Sequence, residues 1–175
     1  LLMSTLDVSN ADFMAGGDML FRGATDAGVT NMGRINAVGG DVFLLGKTVV
    51  NSGTISAANG TVGLAAGEEV LITAVADPAG ERVFVRPTAG VGGGTGVDNS
   101  GTIEGAMVEL KAHGNMYALA INNSGSIRAT GATKNGGKVT LRAIGGTISN
   151  SGSIAATLPD GTGGRIMIDA GVGGT

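Results

Sequence analysis

The residues that could do chemistry in this 175-residue chain are few and dispersed. His113 is the sole histidine, and it sits beside Gly114 and Asn115 with no local partner for a nucleophile-base pair, so it reads as a turn residue. There is no cysteine, which excludes disulfides and thiolate metal sites. Gly93-Gly94-Thr95-Gly96-Val97-Asp98 fits the Gly-Gly-x-Gly-x-Asp phrase of calcium-binding β-rolls. Those sites need tandem copies, because each ion lies between successive turns, and here there is one copy. Gly92 to Gly96 is not a phosphate loop, since no Lys-Ser/Thr follows and no helix opens. No metal or cofactor is read from these residues. The acids, 14 in number, would matter if two or three shared one face, as hydrolysis of a glycosidic bond requires.

Whether they share a face depends on the elements that carry them, and those elements repeat. Asn-Ser-Gly-Thr-Ile at Asn51 to Ile55 returns at Asn99 to Ile103, at Asn123 to Ile127 and at Asn150 to Ile154, the last two with Ser for Thr. A looser copy, Asn-Met-Gly-Arg-Ile, occupies Asn31 to Ile35. Each copy is followed by a second phrase: Val42-Phe43-Leu44, Val62-Gly63-Leu64, Val108-Glu109-Leu110, Val139-Thr140-Leu141 and Ile166-Met167-Ile168. A third apolar run often comes next, at Val49-Val50, Val70-Leu71-Ile72, Leu119-Ala120-Ile121 and Ile148. Spacings between the Asn of 20, 48, 24 and 27 residues are those of stacked-repeat architectures.

Short β-branched runs with period-two alternation read as strands. One repeat cannot bury its own apolar face, whereas repeats stacked at the inter-strand spacing of about 4.8 Å bury all of them together. The pattern therefore predicts an all-β fold: a right-handed single-stranded parallel β-helix of five to six coils, one domain over 1–175. Coils of this length exceed the six-residue period of left-handed helices. The structural bends are placed at Asn31, Asn51, Asn99, Asn123 and Asn150, with Gly33, Gly53, Gly101, Gly125 and Gly152. Gly and Asn tolerate φ > 0 at a tight bend. The Asn in register would form a ladder, each side-chain amide bonding the backbone of the next coil. Small residues two positions after each Ile (Ala37, Ala57, Gly105, Ala129, Ala156) would let the walls approach. From the first-strand Ile to the second-strand Val or Ile the spacing is 7, 7, 5, 12 and 12 residues, so surface loops at one corner, the longest at Thr130 to Gly136 and Thr157 to Gly163, should absorb the slack.

In that frame the outward positions of the second strands are Phe43, Gly63, Glu109, Thr140 and Met167, then Leu45, Ala65, Lys111, Arg142 and Asp169. No carboxylate pair stacks in adjacent coils, and the Lys111, Arg142, Asp169 column reads as solvated surface. Aromatic residues are 3% of the chain, which leaves few sugar-stacking platforms. With 42% apolar and 14% charged residues the chain is not disordered. Its 34 Gly follow no triplet, which excludes collagen. A net charge of −3 without a basic stripe gives no support to nucleic-acid binding. No apolar run reaches the length of a membrane helix, and none of these residues reads as a signal peptide.

The first thirty residues read as a degenerate coil, with Gly16-Gly17-Asp18-Met19-Leu20-Phe21 matching the second phrase. Residues 70–98 interrupt the repeat. Asp77-Pro78-Ala79-Gly80 suits a type I turn between Val70 to Val75 and Arg82 to Arg86, so this insertion is a projecting β-hairpin or a divergent coil. On a hairpin, Arg82, Phe84 and Arg86 are candidate partner-binding residues, or they pair on a solvated hairpin face.

Asn10-Ala11-Asp12-Phe13, Gly28 to Ile35, Gly40-Asp41-Val42-Phe43-Leu44, Val50 to Ile55 and Gly60 to Gly67 resemble filamentous-haemagglutinin-type exoproteins, in the latter part of the amino-terminal secretion domain running into its repeats. The family's Asn-Pro-Asn-Gly-type motif does not occur in the chain. The resemblance implies a right-handed parallel β-helix, export through an outer-membrane two-partner secretion transporter, a secreted or cell-surface location and adhesive roles toward a glycan or protein receptor. The expected function is a non-catalytic structural and adhesive segment; the alternative is a carbohydrate-active or carbohydrate-binding β-helix. The chain begins Leu1-Leu2 and ends in a Gly tract, so it reads as a segment of a longer protein, and its open sheet edges predict end-to-end self-association.

Overall fold

The computed structural model describes residues 1–86, 93–131, 136–158 and 160–175. Gly92, the stretch 87–92 of the insertion, most of the Thr130 to Gly136 loop and Pro159 lie outside the described residues. The chain opens with β1 (Leu2–Ser4), β2 (Asp7–Val8), helix α1 (Asn10–Ala15) and β3 (Met19–Arg22). The first repeat follows as β4 (Val29–Asn31), β5 (Arg34–Asn36) and β6 (Val42–Gly46). The second is β7 (Val49–Asn51) and the long β8 (Thr54–Ala66), with β9 (Glu69–Ile72) and β10 (Val83–Val85) after it. The third is β11 (Thr95–Asn99) and β12 (Thr102–Ala112), closed by a 3₁₀ turn at Gly114–Met116. The fourth is β13 (Leu119–Asn123), β14 (Ser126–Ala129) and β15 (Lys138–Arg142), and the fifth β16 (Ile148–Asn150), β17 (Ser153–Ala156) and β18 (Arg165–Asp169). With 53% strand and 5% helix the protein is mostly β, and its sheets are largely parallel.

Two parallel sheets carry the repeats. One orders β4, β7, β11, β13 and β16 side by side, matching Asn31, Asn51, Asn99, Asn123 and Asn150 residue for residue. The other places Ile35, Ile55, Ile103, Ile127 and Ile154 in one row and Val42, Val62, Val108, Val139 and Ile166 in another. Inward residues of both sheets share one apolar cluster, with Val49, Val97 and Ile121 from the first and Leu44, Ile55, Leu64, Ile103, Leu110, Ile127 and Leu141 from the second. Burying each such side chain is worth about 1.5–3 kcal/mol, so this interior is the main source of stability. The slack between first and second strands is handled in two ways. In the second and third repeats the chain runs straight through as β8 and β12, and a bulge between Gly105 and Met107 takes up the difference between spacings of 7 and 5. In the fifth repeat the slack lies between strands, where Thr157 and Gly163 form an antiparallel bridge.

The amino-terminal part departs from a simple degenerate coil. Only β1 joins the parallel sheet, pairing with β6. β2 and β3 leave it and join β9 and β10 in a four-stranded antiparallel sheet, ordered β10-β9-β3-β2. Val70-Leu71-Ile72 is thus not a third strand of the repeat; β11 takes that place, beside β7. The antiparallel sheet lies on the outer face of β6, β8 and β12. Phe43, Leu45 and Ala65 point outward there and are buried against Leu6, Phe21, Val70, Ile72 and Val83. Ser9 caps α1 by accepting the Asp12 amide, and Gly16, at φ +66°, ends it in the left-handed conformation that glycine adopts without strain.

Candidate functional site

The bends are built from a repeated set of bonds. The Asn51 carbonyl accepts the Ser100 and Gly101 amides at 2.9 and 3.0 Å, and the Gly53 carbonyl accepts Thr102 at 2.9 Å. Asn99 and Gly101 do the same for Ser124, Gly125 and Ser126, and Asn123 and Gly125 for Ser151, Gly152 and Ser153. The Asn side chains form a continuous ladder: Asn31 Nδ2 donates to Asn51 Oδ1 at 2.8 Å, Asn51 to Asn99 at 2.7 Å, Asn99 to Asn123 at 2.7 Å and Asn123 to Asn150 at 2.6 Å. The amides therefore bond chiefly to one another; Asn31 Nδ2 also reaches the Thr54 carbonyl of the next repeat, at 3.5 Å. Nor do the bend glycines have φ > 0. Each Asn closes a strand, and glycine follows because of a close approach. A Cβ on Gly53 would lie 2.0 Å from the Gly33 carbonyl oxygen, and one on Gly101, Gly125 or Gly152 would lie 2.1 Å from the oxygen of the bend before it.

A second polar assembly occupies the space between β10 and the outer face of β12 and β15. Glu109 on β12 accepts the Arg82 and Val83 amides at 2.9 and 3.1 Å. Lys111, two residues on and therefore on the same face, reaches Glu109 at 2.9 Å and Glu81 at 2.7 Å, donates to the Val83 carbonyl, and lies 4.7 Å from the centre of the Phe84 ring. Glu81, fully buried, also takes Arg142 at 2.9 Å and Lys138 at 3.5 Å. Burial is the largest influence on the Glu81 carboxyl and by itself raises its pKa; the Lys111 hydrogen bond and the charges of Lys111, Arg142 and Lys138 together outweigh it, leaving the group below its ordinary value. Asp169 completes the row, 3.2 Å from Arg142. The Lys111, Arg142, Asp169 column is therefore solvated only in part: Lys111, like Glu109, is about 2% exposed because the antiparallel sheet covers it, whereas Arg142 and Asp169 remain about one-third exposed.

The three candidate partner-binding residues are engaged within the chain. Arg82 pairs with Asp41, donates to the Thr73 carbonyl at 2.9 Å and lies 5.3 Å from the centre of the Phe43 ring. Phe84 faces Lys111, and Arg86 meets Glu69 at 2.9 Å on the exposed edge. Glu81 and Lys138 escaped the sequence reading, which placed Glu109 only as an outward position with no partner. A signal for them exists: Val42 to Leu45 and Val62 to Ala66 are apolar on both alternating faces, the mark of strands covered on both sides. A covered face that also holds Glu109 and Lys111 must supply partners for them.

Above this assembly, at the carboxyl ends of β12, β15 and β18, a cleft of about 250 Å³ opens between those strands and β10. Phe84, Val85 and Ile144 form apolar walls, with Val83 fully buried behind them, and Arg142 and Asp169 provide polar groups. His113 also lines it, its imidazole held below the usual pKa by burial. Asp98 of the glycine-rich phrase accepts Asn122 at 2.9 Å, and among the described residues no three His, Cys, Asp or Glu side chains come together as a metal site. No helix among the described residues is long and apolar enough to cross a membrane. Comparison with models of protein families and with curated proteins finds no match to this chain.

Proposed function

We propose that the chain is a right-handed single-stranded parallel β-helix and that it acts as a rigid, non-catalytic segment of a secreted, surface-displayed exoprotein of the filamentous-haemagglutinin type. The observation that carries this reading is the in-register stacking of the Asn-x-Gly bends, with one amide ladder through all five. Contacts repeated at one spacing along one axis build length and an extended lateral surface. The phrases at residues 10–67 support the family, and with it export through an outer-membrane two-partner secretion transporter and adhesion to a glycan or protein receptor. Beads coated with the chain should adhere to epithelial monolayers above the level of albumin-coated beads; equal adherence would sink the adhesive role.

The carbohydrate-active alternative draws on Glu81 and Glu109, two carboxylates bridged by one ammonium. A glycosidase needs one of its carboxyls protonated to serve as acid. The ion pairs around Glu81 oppose that protonation. Incubation with a panel of polysaccharides should release neither reducing ends nor unsaturated uronides, and release of either would overturn the non-catalytic reading.

A further inference from the structure

The cleft at the ends of β12, β15 and β18 combines features that select a ligand. Alternation in the β9–β10 pair points the N–H and C=O of Val85 the same way as those of Val83, away from β9. Glu109 and Lys111 take the Val83 pair, and Val85 presents its own pair at the cleft wall. Arg142 and Asp169 bring further donors and an acceptor, each about one-third exposed. A purely apolar occupant would strip water from these groups without replacing its hydrogen bonds, at about 1–3 kcal/mol for each group left unsatisfied. Among the described residues, the cations around the cleft are already engaged, since Lys111, Lys138 and Arg142 are matched by Glu81, Glu109 and Asp169, which disfavours an anion. What remains is a small neutral molecule with one apolar face and an edge of groups that both donate and accept. A volume of about 250 Å³, below the roughly 300 Å³ at which drug-sized pockets begin, suits a single ring.

We propose that this cleft binds one neutral hexopyranose residue of a glycan, its C–H face against Phe84 and Ile144 and its hydroxyls on Val85, Arg142 and Asp169. This deepens the adhesive reading by naming a receptor chemistry and a place for it. The test titrates the ¹⁵N-labelled chain with the methyl β-glycosides of glucose, galactose and mannose, and with galacturonate as the charged comparison. At least one neutral glycoside should give saturable shifts in the millimolar range at the Phe84, Val85, His113 and Ile144 amides, and galacturonate should bind more weakly. Ile144→Arg, which fills the cleft from a half-exposed position, should abolish the shifts while leaving the rest of the spectrum unchanged. Asp169→Asn, which keeps the Arg142–Glu81 pair, should weaken binding about tenfold and decides the matter if Ile144→Arg does not fold. No saturable shift with any neutral glycoside, tighter binding of galacturonate, or shifts that survive the Arg substitution would overturn the site. A folded spectrum without shifts removes the sugar and not the rod; bead adherence with no glycoside binding separates the two in the same way.

Discussion

A methyl group on Gly101 has no room, because its Cβ would sit 2.1 Å from the Gly53 oxygen, whereas the same atom on Gly33 meets nothing within 4 Å. Two glycines at equivalent positions should thus respond in opposite ways. Gly101→Ala should cost about 3 kcal/mol, and Gly33→Ala should stay within about 0.5 kcal/mol, read from urea midpoints at unchanged slope. Equal costs would mean that the bends need glycine for its torsion angles and not for its size. Asn99 gives a sharper case. It is fully buried, accepts from Asn51 and donates to Asn123. Asn99→Ala leaves both neighbours short of a partner, at about 1–3 kcal/mol each. Asn99→Asp should be worse at pH 7, since a carboxylate cannot donate to Asn123. The gap between the two variants should narrow as pH falls, because a protonated carboxyl can donate; a gap independent of pH would contradict the ladder.

At the scale of elements, the antiparallel sheet is fastened to β12 and β15 by the Glu81, Glu109 and Lys111 cluster. Removing one member of a buried charge set strands the others, so Lys111→Met should cost about 3–5 kcal/mol. Glu81 is held below its ordinary value of 4.5, so its stabilisation is complete above that value and is lost as pH falls from there through the lower folded value. The groups facing it are Lys111, Lys138, Arg142 and, through its own amide, Asp77. Hydrogen exchange at Val83 and Phe84 should therefore accelerate below about pH 4.5 more than at Ile103 or Ile127, and Glu81→Gln should remove that difference. The repeats themselves were legible because Ile55, Ile103, Ile127 and Ile154 recur with the same neighbours, and a recurring neighbourhood forces a recurring register. The cluster was not legible from the repeat alone. Glu81 belongs to the insertion, and its partners lie 30 and 61 residues ahead of it, a separation no periodic template encodes. The role of β2 and β3 was hidden for a similar reason: Gly16 to Phe21 imitates the second phrase of a repeat, but Phe21 pairs antiparallel with Val70.

At the scale of the molecule, the edge of β6 in the first repeat is paired by β1, and the far side of the stack contrasts with it. β17 and β18 end their rows, and Ile166 and Ile168 are about half exposed where their counterparts Val139 and Leu141 are buried. An unpaired apolar edge recruits other strands. The chain should associate with rising concentration in sedimentation, and Ile168→Lys should suppress it; an ideal monomer at high concentration would count against an open edge. The ladder has a further consequence. Each amide donates in the same sense, from Asn31 toward Asn150, so the five carboxamide dipoles add along one axis. Turning one interior amide over would set oxygen against oxygen on one side and hydrogen against hydrogen on the other. Orientation is therefore a collective property of the column, like the alignment of spins in a magnet, and it gives the protein an electrical head and tail without any ionised group. A stack growing from one end offers each arriving bend a single acceptable polarity, so the column can extend in register but cannot reverse.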